Sequence, residues 1–164
     1  MVDDDEVRSE LDEAFERFER TQPAMSGRIT RALNEPLDET ALALGYFLTL
    51  AVWLAFERAH GAAIDEVDDV EFNATVELLT LDEDLRRADP LEALDSDDII
   101  GMEQPSLLNF VHEHIDATLD AHNDGVNVDH VHLIYRLVLV ELLALSYAVR
   151  PPAGFPAHKT ELLA

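Results

Sequence analysis

The sequence contains no cysteine. Disulfides, thiolate metal sites, iron–sulfur clusters and cysteine nucleophiles are therefore excluded together, and a reducing intracellular compartment is the simplest setting. Basic residues are scarce: 11 Lys and Arg stand against 35 Asp and Glu, Lys159 is the only lysine, and the formal charge is −24. Nucleic-acid affinity depends on basic groups that displace counterions from phosphate. No basic patch exceeds the pair Arg86 and Arg87, so no nucleic-acid partner is expected. The 6 glycines are scattered and read as helix stops; none belongs to a phosphate-cradling loop after a strand. Neither Ser106 nor Ser146 sits in a nucleophile-elbow sequence, so covalent catalysis finds no support.

Long apolar runs are lacking as well. The most membrane-like stretch, Ala41 to Phe56, falls short of the ~20 residues that a span needs and contains Thr49. It is read as a buried bundle helix, with no membrane partner. Met1 is followed by Val2, Asp3, Asp4, Asp5 and Glu6 rather than by a basic and then an apolar segment, so no secretory signal is expected and the location is read as cytoplasmic.

What is abundant is acid combined with apolar residues. The carboxylates run along the whole chain in helical register with the hydrophobics, so the charge belongs to a folded surface rather than to a tail. At 48% hydrophobic the chain is too apolar for a disordered protein. Many carboxylates, almost no lysine and much alanine and valine resemble the cytoplasmic proteins of salt-in halophilic archaea. In molar salt the Debye length falls to about 3 Å, which screens the self-repulsion of such a surface.

Apolar spacings of three and four recur almost throughout, and no segment alternates as a strand would. The reading is an all-α, single-domain helical bundle of about six helices, spanning residues 1–164. The first helix runs from about Asp4 to Arg20 with Val7, Leu11, Phe15 and Phe18 on one stripe. The second opens at Pro23, carries Met25, Ile29 and Leu33, and is stopped by Pro36. Asp38 is the expected N-cap of a third, nearly all-apolar helix that ends at His60 before Gly61. Ala41, Gly45 and Thr49 give that helix a small-residue stripe for close approach. The fourth is expected from Asp65, burying Val67, Val70, Ala74, Leu78 and Leu81, with a separate short turn started by Thr80 and Glu83. After a connection from Asp89 to Glu103, the fifth starts at Pro105 and ends at the Asn123-Asp124-Gly125 turn. The sixth runs from Val128 to Val149, and residues 151–164 form an extended tail with Phe155, Leu162 and Leu163 available to dock.

Two related three-helix halves, 1–82 and 83–164, are a further reading. Gln22-Pro23 and Gln104-Pro105 each open an amphipathic helix that is followed by an apolar one, and the segment from Tyr46 aligns with that from Tyr135. A true repeat would pack the third helix against the sixth about a pseudo-two-fold axis.

The densest cluster of chemistry-bearing residues is Val111 to His122, with three histidines, one glutamate and two aspartates. At 100° per residue, Leu108, Val111, Ile115 and Leu119 form the inner face, with His112 and Asp116 at one border and His114 at the other. One intact helix cannot offer both imidazoles to one ion. His132 on the antiparallel sixth helix could complete a site with His112 and Asp116, a ligand set suited to zinc, manganese or iron. The two Glu-x-x-His signatures of di-metal bundles are missing, so these residues are read first as border polar groups and second as a metal site. Glu141, between Leu139, Val140, Leu142 and Leu143, is the candidate buried charge. It is expected to pair with an arginine such as Arg28 or Arg31; without one its carboxyl would hold its proton. A pocket around Trp53, Tyr46 and Tyr135 is a third possibility.

The functional expectation is a helical interaction or regulatory protein of a high-salt cytoplasm rather than an enzyme. Its partner is a protein or a second copy, because Phe15 and Phe18 need burial, and no cofactor is expected. The alternative is a metal-binding or metal-dependent helical bundle. The charge carries a direct test: the denaturant midpoint, followed by fluorescence of the single tryptophan, should rise from dilute buffer to molar KCl. A midpoint independent of salt would remove the halophilic reading.

Overall fold

Helices make up nearly all of the computed structural model, which describes residues 4–88, 104–122 and 125–150. They are α1 (Asp4–Thr21), α2 (Pro23–Leu33), α3 (Glu39–His60), α4 (Asp69–Ala88), α5 (Pro105–Ala121) and α6 (Val128–Ala148), with a 3-10 turn at Gly61–Ala63. The described residues contain no strand beyond one isolated bridge, Ile64 with Val149, and the chain is an all-α helical bundle. The expectations for 89–103, for Asn123 and Asp124, and for the tail from 151 lie outside the described residues.

α3 and α6 form the centre. At one end Asp38 accepts the Asn127 N–H on Oδ2 at 2.8 Å. At the other, Asp65 N–H donates to Ala148 O and Arg150 N–H to Ala63 O. Like ends therefore meet, and the two helices run parallel. Gly45 of α3 has no room for a side chain: an added Cβ would lie 2.7 Å from Ile134 Cδ1 of α6 and 2.7 Å from Leu33 Cδ2 of α2. Gly45 faces Ile134, and Asp38 meets Asn127, at the same sequence separation that relates Tyr46 to Tyr135. The two Gln-Pro starts also match: Gln22 has φ −130°, ψ 62° and Gln104 φ −140°, ψ 66°, neither with a side-chain cap.

Both central helices are long and apolar enough to cross a membrane by length and composition. That corrects the length argument drawn from Ala41 to Phe56, because flanking residues carry α3 from Glu39 to His60. Here both line the interior, where Leu48, Val52, Phe56, Ile134, Val138, Leu142 and Leu145 are buried.

α1 and α2 cover one side of α3. Phe18 is fully buried, its ring tilted against Trp53 at 5.2 Å, and Phe15 lies against Tyr46 at 6.4 Å. These rings are used inside the chain, which removes the argument for a dimer made from them. α4 packs on α6 and α2, but it differs from expectation in two ways. It starts at Asp69 rather than Asp65, because residues 64–67 are held extended: Ile64 bridges to Val149 and the Val67 N–H donates to Gln22 Oε1 at 2.8 Å. It also continues unbroken through Thr80 and Glu83, which both bind Arg136 of α6. Its buried face is Phe72, Thr75 and Leu79, whereas Val70, Leu78 and Leu81 are exposed.

A side chain at Gly45 would collide with Ile134 and Leu33. Gly45→Val should lower stability by about 1–3 kcal/mol through overpacking, read from urea unfolding in molar KCl. An unchanged midpoint would mean that the helices are not held this close.

Candidate functional site

The His112, Asp116 and His132 set does not converge. His112 Nε2 is hydrogen-bonded to the Tyr135 hydroxyl at 2.8 Å, Asp116 is exposed, and His132 is exposed with its ring 6.4 Å from that of Tyr135. Among the described residues no group of three or more His, Asp or Glu is placed to hold a metal ion. Arg136, one turn after His132, turns to α4, with Nε donating to Glu83 Oε1 at 2.8 Å. His114 takes the other border, as helical geometry requires: Nδ1 is 2.9 Å from Phe110 O and its ring is 5.1 Å from Phe47. The dense cluster of α5 thus divides between two packing environments.

Glu141 is 0% exposed, and among the described residues neither carboxyl oxygen has a hydrogen-bond partner. The expected arginine pairing is absent among them. Arg28 lies over the Phe72 ring at 4.8 Å and reaches Asp69 at 3.5 Å, while Arg31 Nε donates within its own helix to Gly27 O. Glu141 sits seven residues, about two turns, after Ile134 on α6 and so shares its face towards α3. Thr49, whose buried hydroxyl is also unpartnered, is one turn after Gly45 on the facing helix. Desolvation by burial pushes the Glu141 carboxyl well above the usual glutamate range. The neutral acid is the form that such a position tolerates.

Two polar anchors organise the chain around this core. Gln22 is buried, donates through Nε2 to Asp65 O at 2.9 Å and accepts from Val67 N–H, so it clamps the α3–α4 connection. Composition gave no sign of this role, since glutamine before proline reads as a helix start. Asp38, identified as a cap, does more than cap. Oδ1 accepts from Thr40 N–H at 3.0 Å, Oδ2 accepts from Asn127, and its own N–H donates to His130 Nδ1 at 2.8 Å. The backbone donors of Asn127 and Thr40 hold its carboxyl below the usual aspartate range. Trp53, Tyr46 and Tyr135 pack against Phe18, Phe15 and His112 respectively.

The surface offers a different kind of site. On α4, Val70 is 76% exposed, Leu78 41%, Leu81 56% and Leu85 53%. With Ala74, also exposed, they fall within an arc of about 80° at 100° per residue. Phe72, Thr75 and Leu79 fill the opposite side, and Thr75 is buried at little cost because its hydroxyl donates to Glu71 O. α4 is therefore apolar on two faces. Leu78 also lines a groove of about 240 Å³ with Ala144 and Tyr147 of α6. A second, open groove of about 440 Å³ lies between α3 and α5, floored by Ala51, Ala55 and Ala59.

No family model, curated protein or solved structure matches the chain.

The buried acid generates a pH prediction. In the folded chain Glu141 keeps its proton where the unfolded chain has released it, so stability is complete below the ordinary glutamate range and declines as pH rises towards the folded value. Glu141→Gln should flatten this decline, and Glu141→Leu should raise stability at neutral pH by about 1–3 kcal/mol. Identical pH slopes for wild type and Glu141→Gln would show that the carboxyl is not buried as a neutral acid.

Proposed function

We propose that this protein is a helical interaction protein of a high-salt cytoplasm, and that the outward face of α4 receives an amphipathic helix from a protein partner. The observation that supports it most is the exposed stripe of Val70, Leu78, Leu81 and Leu85 on a helix already anchored by its other side. Apolar residues scattered singly need no explanation, but a contiguous stripe in an otherwise acidic protein does. Ala74, Leu78, Leu81 and Leu85 follow one another at spacings of four, three and four, the seam by which one helix packs along another. This is the helix-docking mode of recognition.

A second copy is the less favoured occupant. The rings that suggested a dimer, Phe15 and Phe18, pack against Tyr46 and Trp53 inside the chain. An enzyme is less favoured because the groups that line open grooves, Glu39, His114 and His122 in one and His60 with Ser106 in the other, are wide open to solvent, and His114 is already bonded to Phe110 O. The metal-dependent alternative has no convergent ligand set among the described residues to carry it.

The test is a photo-crosslinking side chain placed at Leu81 and, as a control, at exposed Asn109 on α5, with the full chain in its own cytoplasm. The expected result is a discrete heterologous adduct from Leu81 alone, whose crosslinked peptide, read by mass spectrometry, has the apolar periodicity of an amphipathic helix. The same adducts from both positions, or adducts only with the chain itself, would overturn the proposal.

A further inference from the structure

The open groove of about 440 Å³ between α3 and α5 has a counterpart in the bundle that is filled. Its floor is Ala51, Ala55 and Ala59, one residue per turn of α3, and its far wall includes Gln104 and Phe110 of α5. The register that sets Gly45 against Ile134 and Asp38 against Asn127 makes Ala144 and Ala148 of α6 the equivalents of Ala55 and Ala59. Ala144 and Ala148 are buried, and α4 packs on α6 there, with Thr75 and Leu78 beside both alanines. Ala55, by contrast, is half-buried and Ala59 exposed. The walls correspond as well. Gln22 and Gln104 share one backbone conformation before Pro23 and Pro105, and the Gln22 amide holds the extended residues 65–67 that lead from α3 into α4. Gln104 lines the open groove, so its amide offers the same donor and acceptor to a backbone laid there.

The chain that leaves α6 is aimed at this groove. Val149 is extended and bridges Ile64 in the antiparallel sense, and the Arg150 N–H donates to Ala63 O. Beyond Arg150 the chain therefore runs back past Ala62 towards His60, at the near end of the groove. The segment after α3 crosses over to cover α6, and the segment after α6 is delivered to the matching place on α3. We propose that residues 151–164 occupy the groove, with Phe155, Leu162 and Leu163 buried against the alanine floor and Phe110, and with the Gln104 amide paired to the backbone of the segment. Reach is sufficient. From Ala51 to His60 is about 14 Å by helical rise, and Phe155, five residues beyond Arg150, lies up to about 17 Å from it along an extended chain. Tethering favours this segment over a second copy or a separate partner, because it binds intramolecularly at an effective concentration on the order of millimolar. The contact is apolar, so it survives the molar salt that screens the acidic surface. It does not depend on the docking face of α4.

The lack of cysteine makes spin labelling specific to introduced positions. Nitroxides are attached at Asn109→Cys, exposed on α5, and at Thr160→Cys in the full chain, and their separation is read by double electron–electron resonance in molar KCl. One narrow distance peak is expected. Phe155→Asp with Leu162→Asp should abolish it, since a carboxylate cannot enter an apolar groove without a partner. Ala55→Trp, which fills the groove from its floor, should abolish it as well while the circular dichroism stays unchanged. Ala59→Trp, at an exposed position, repeats the test should Ala55→Trp disturb the helices.

A broad distance distribution with the native segment would overturn the proposal and leave the groove to a separate partner. A narrow peak that persists when the floor carries tryptophan would mean that the segment is held elsewhere, which also overturns it. A peak lost on dilution with unlabelled chain would make the segment of a second copy the occupant, and the intramolecular proposal would fall.

Discussion

The parallel pairing of α3 and α6 is the constraint on which the other elements depend. Most helices adjacent in sequence run antiparallel because a short connection turns the chain back. Here the two most apolar helices are far apart in sequence and run the same way, with Gly45 tight against Ile134. α1 and α2 must then fit on the α3 side, α4 on the α6 side, and α5 against both. The long loop-free contact also decides where polar groups can sit. Glu141, in the middle of α6, lies where the described bundle offers neither solvent nor arginine, so its carboxyl is pushed up by burial in the architecture rather than by a neighbouring charge.

Much of this frame was legible in the residues. Pro23, Asp38, Gly61, Pro105 and Val128 mark helix ends because capping and backbone restrictions are local, and the structure places those ends where the signals stand. The small-residue stripe on α3 correctly anticipated a close helix neighbour, since a missing side chain has the same meaning in any environment. The outcome was different wherever two alternatives were locally equivalent. α4 has two apolar stripes, and periodicity alone cannot say which is inside. Thr75 made the buried stripe look weaker than it is, although its hydroxyl is satisfied within the helix. The start of α4 moved because Gln22 and Val149, remote in sequence, hold residues 64–67 extended.

The site-level reading divides along the same line. That His112 and His114 face apart follows from helix geometry and was visible in the spacing. That His112 meets Tyr135, and Arg136 meets Glu83, depends on how helices are placed around each other. The burial of Glu141 was foreseeable from its apolar neighbours on α6, but the missing arginine was not. Whether Arg28 could reach it depended on a competing ring, Phe72, and a competing acid, Asp69. The exposed stripe of α4 entered the sequence reading as core, and only packing shows that it is surplus to it.

The anchor at Asp38 has an electrostatic consequence that extends over the whole central pair. Each helix carries the equivalent of roughly half a positive charge at its N-terminus and half a negative charge at its C-terminus. Antiparallel neighbours cancel these ends, whereas α3 and α6 place like ends side by side. One carboxylate lies between the two positive ends, with one oxygen on a donor at the start of α3 and the other on the donor before α6. At the negative ends the Arg150 guanidinium donates to Ala62 O and pairs with Asp65 at 3.0 Å. The bundle therefore has a polarity along its axis, closed by an anion at one pole and a cation at the other, and a parallel core in so acidic a chain places one of its few cations where the backbone itself is negative.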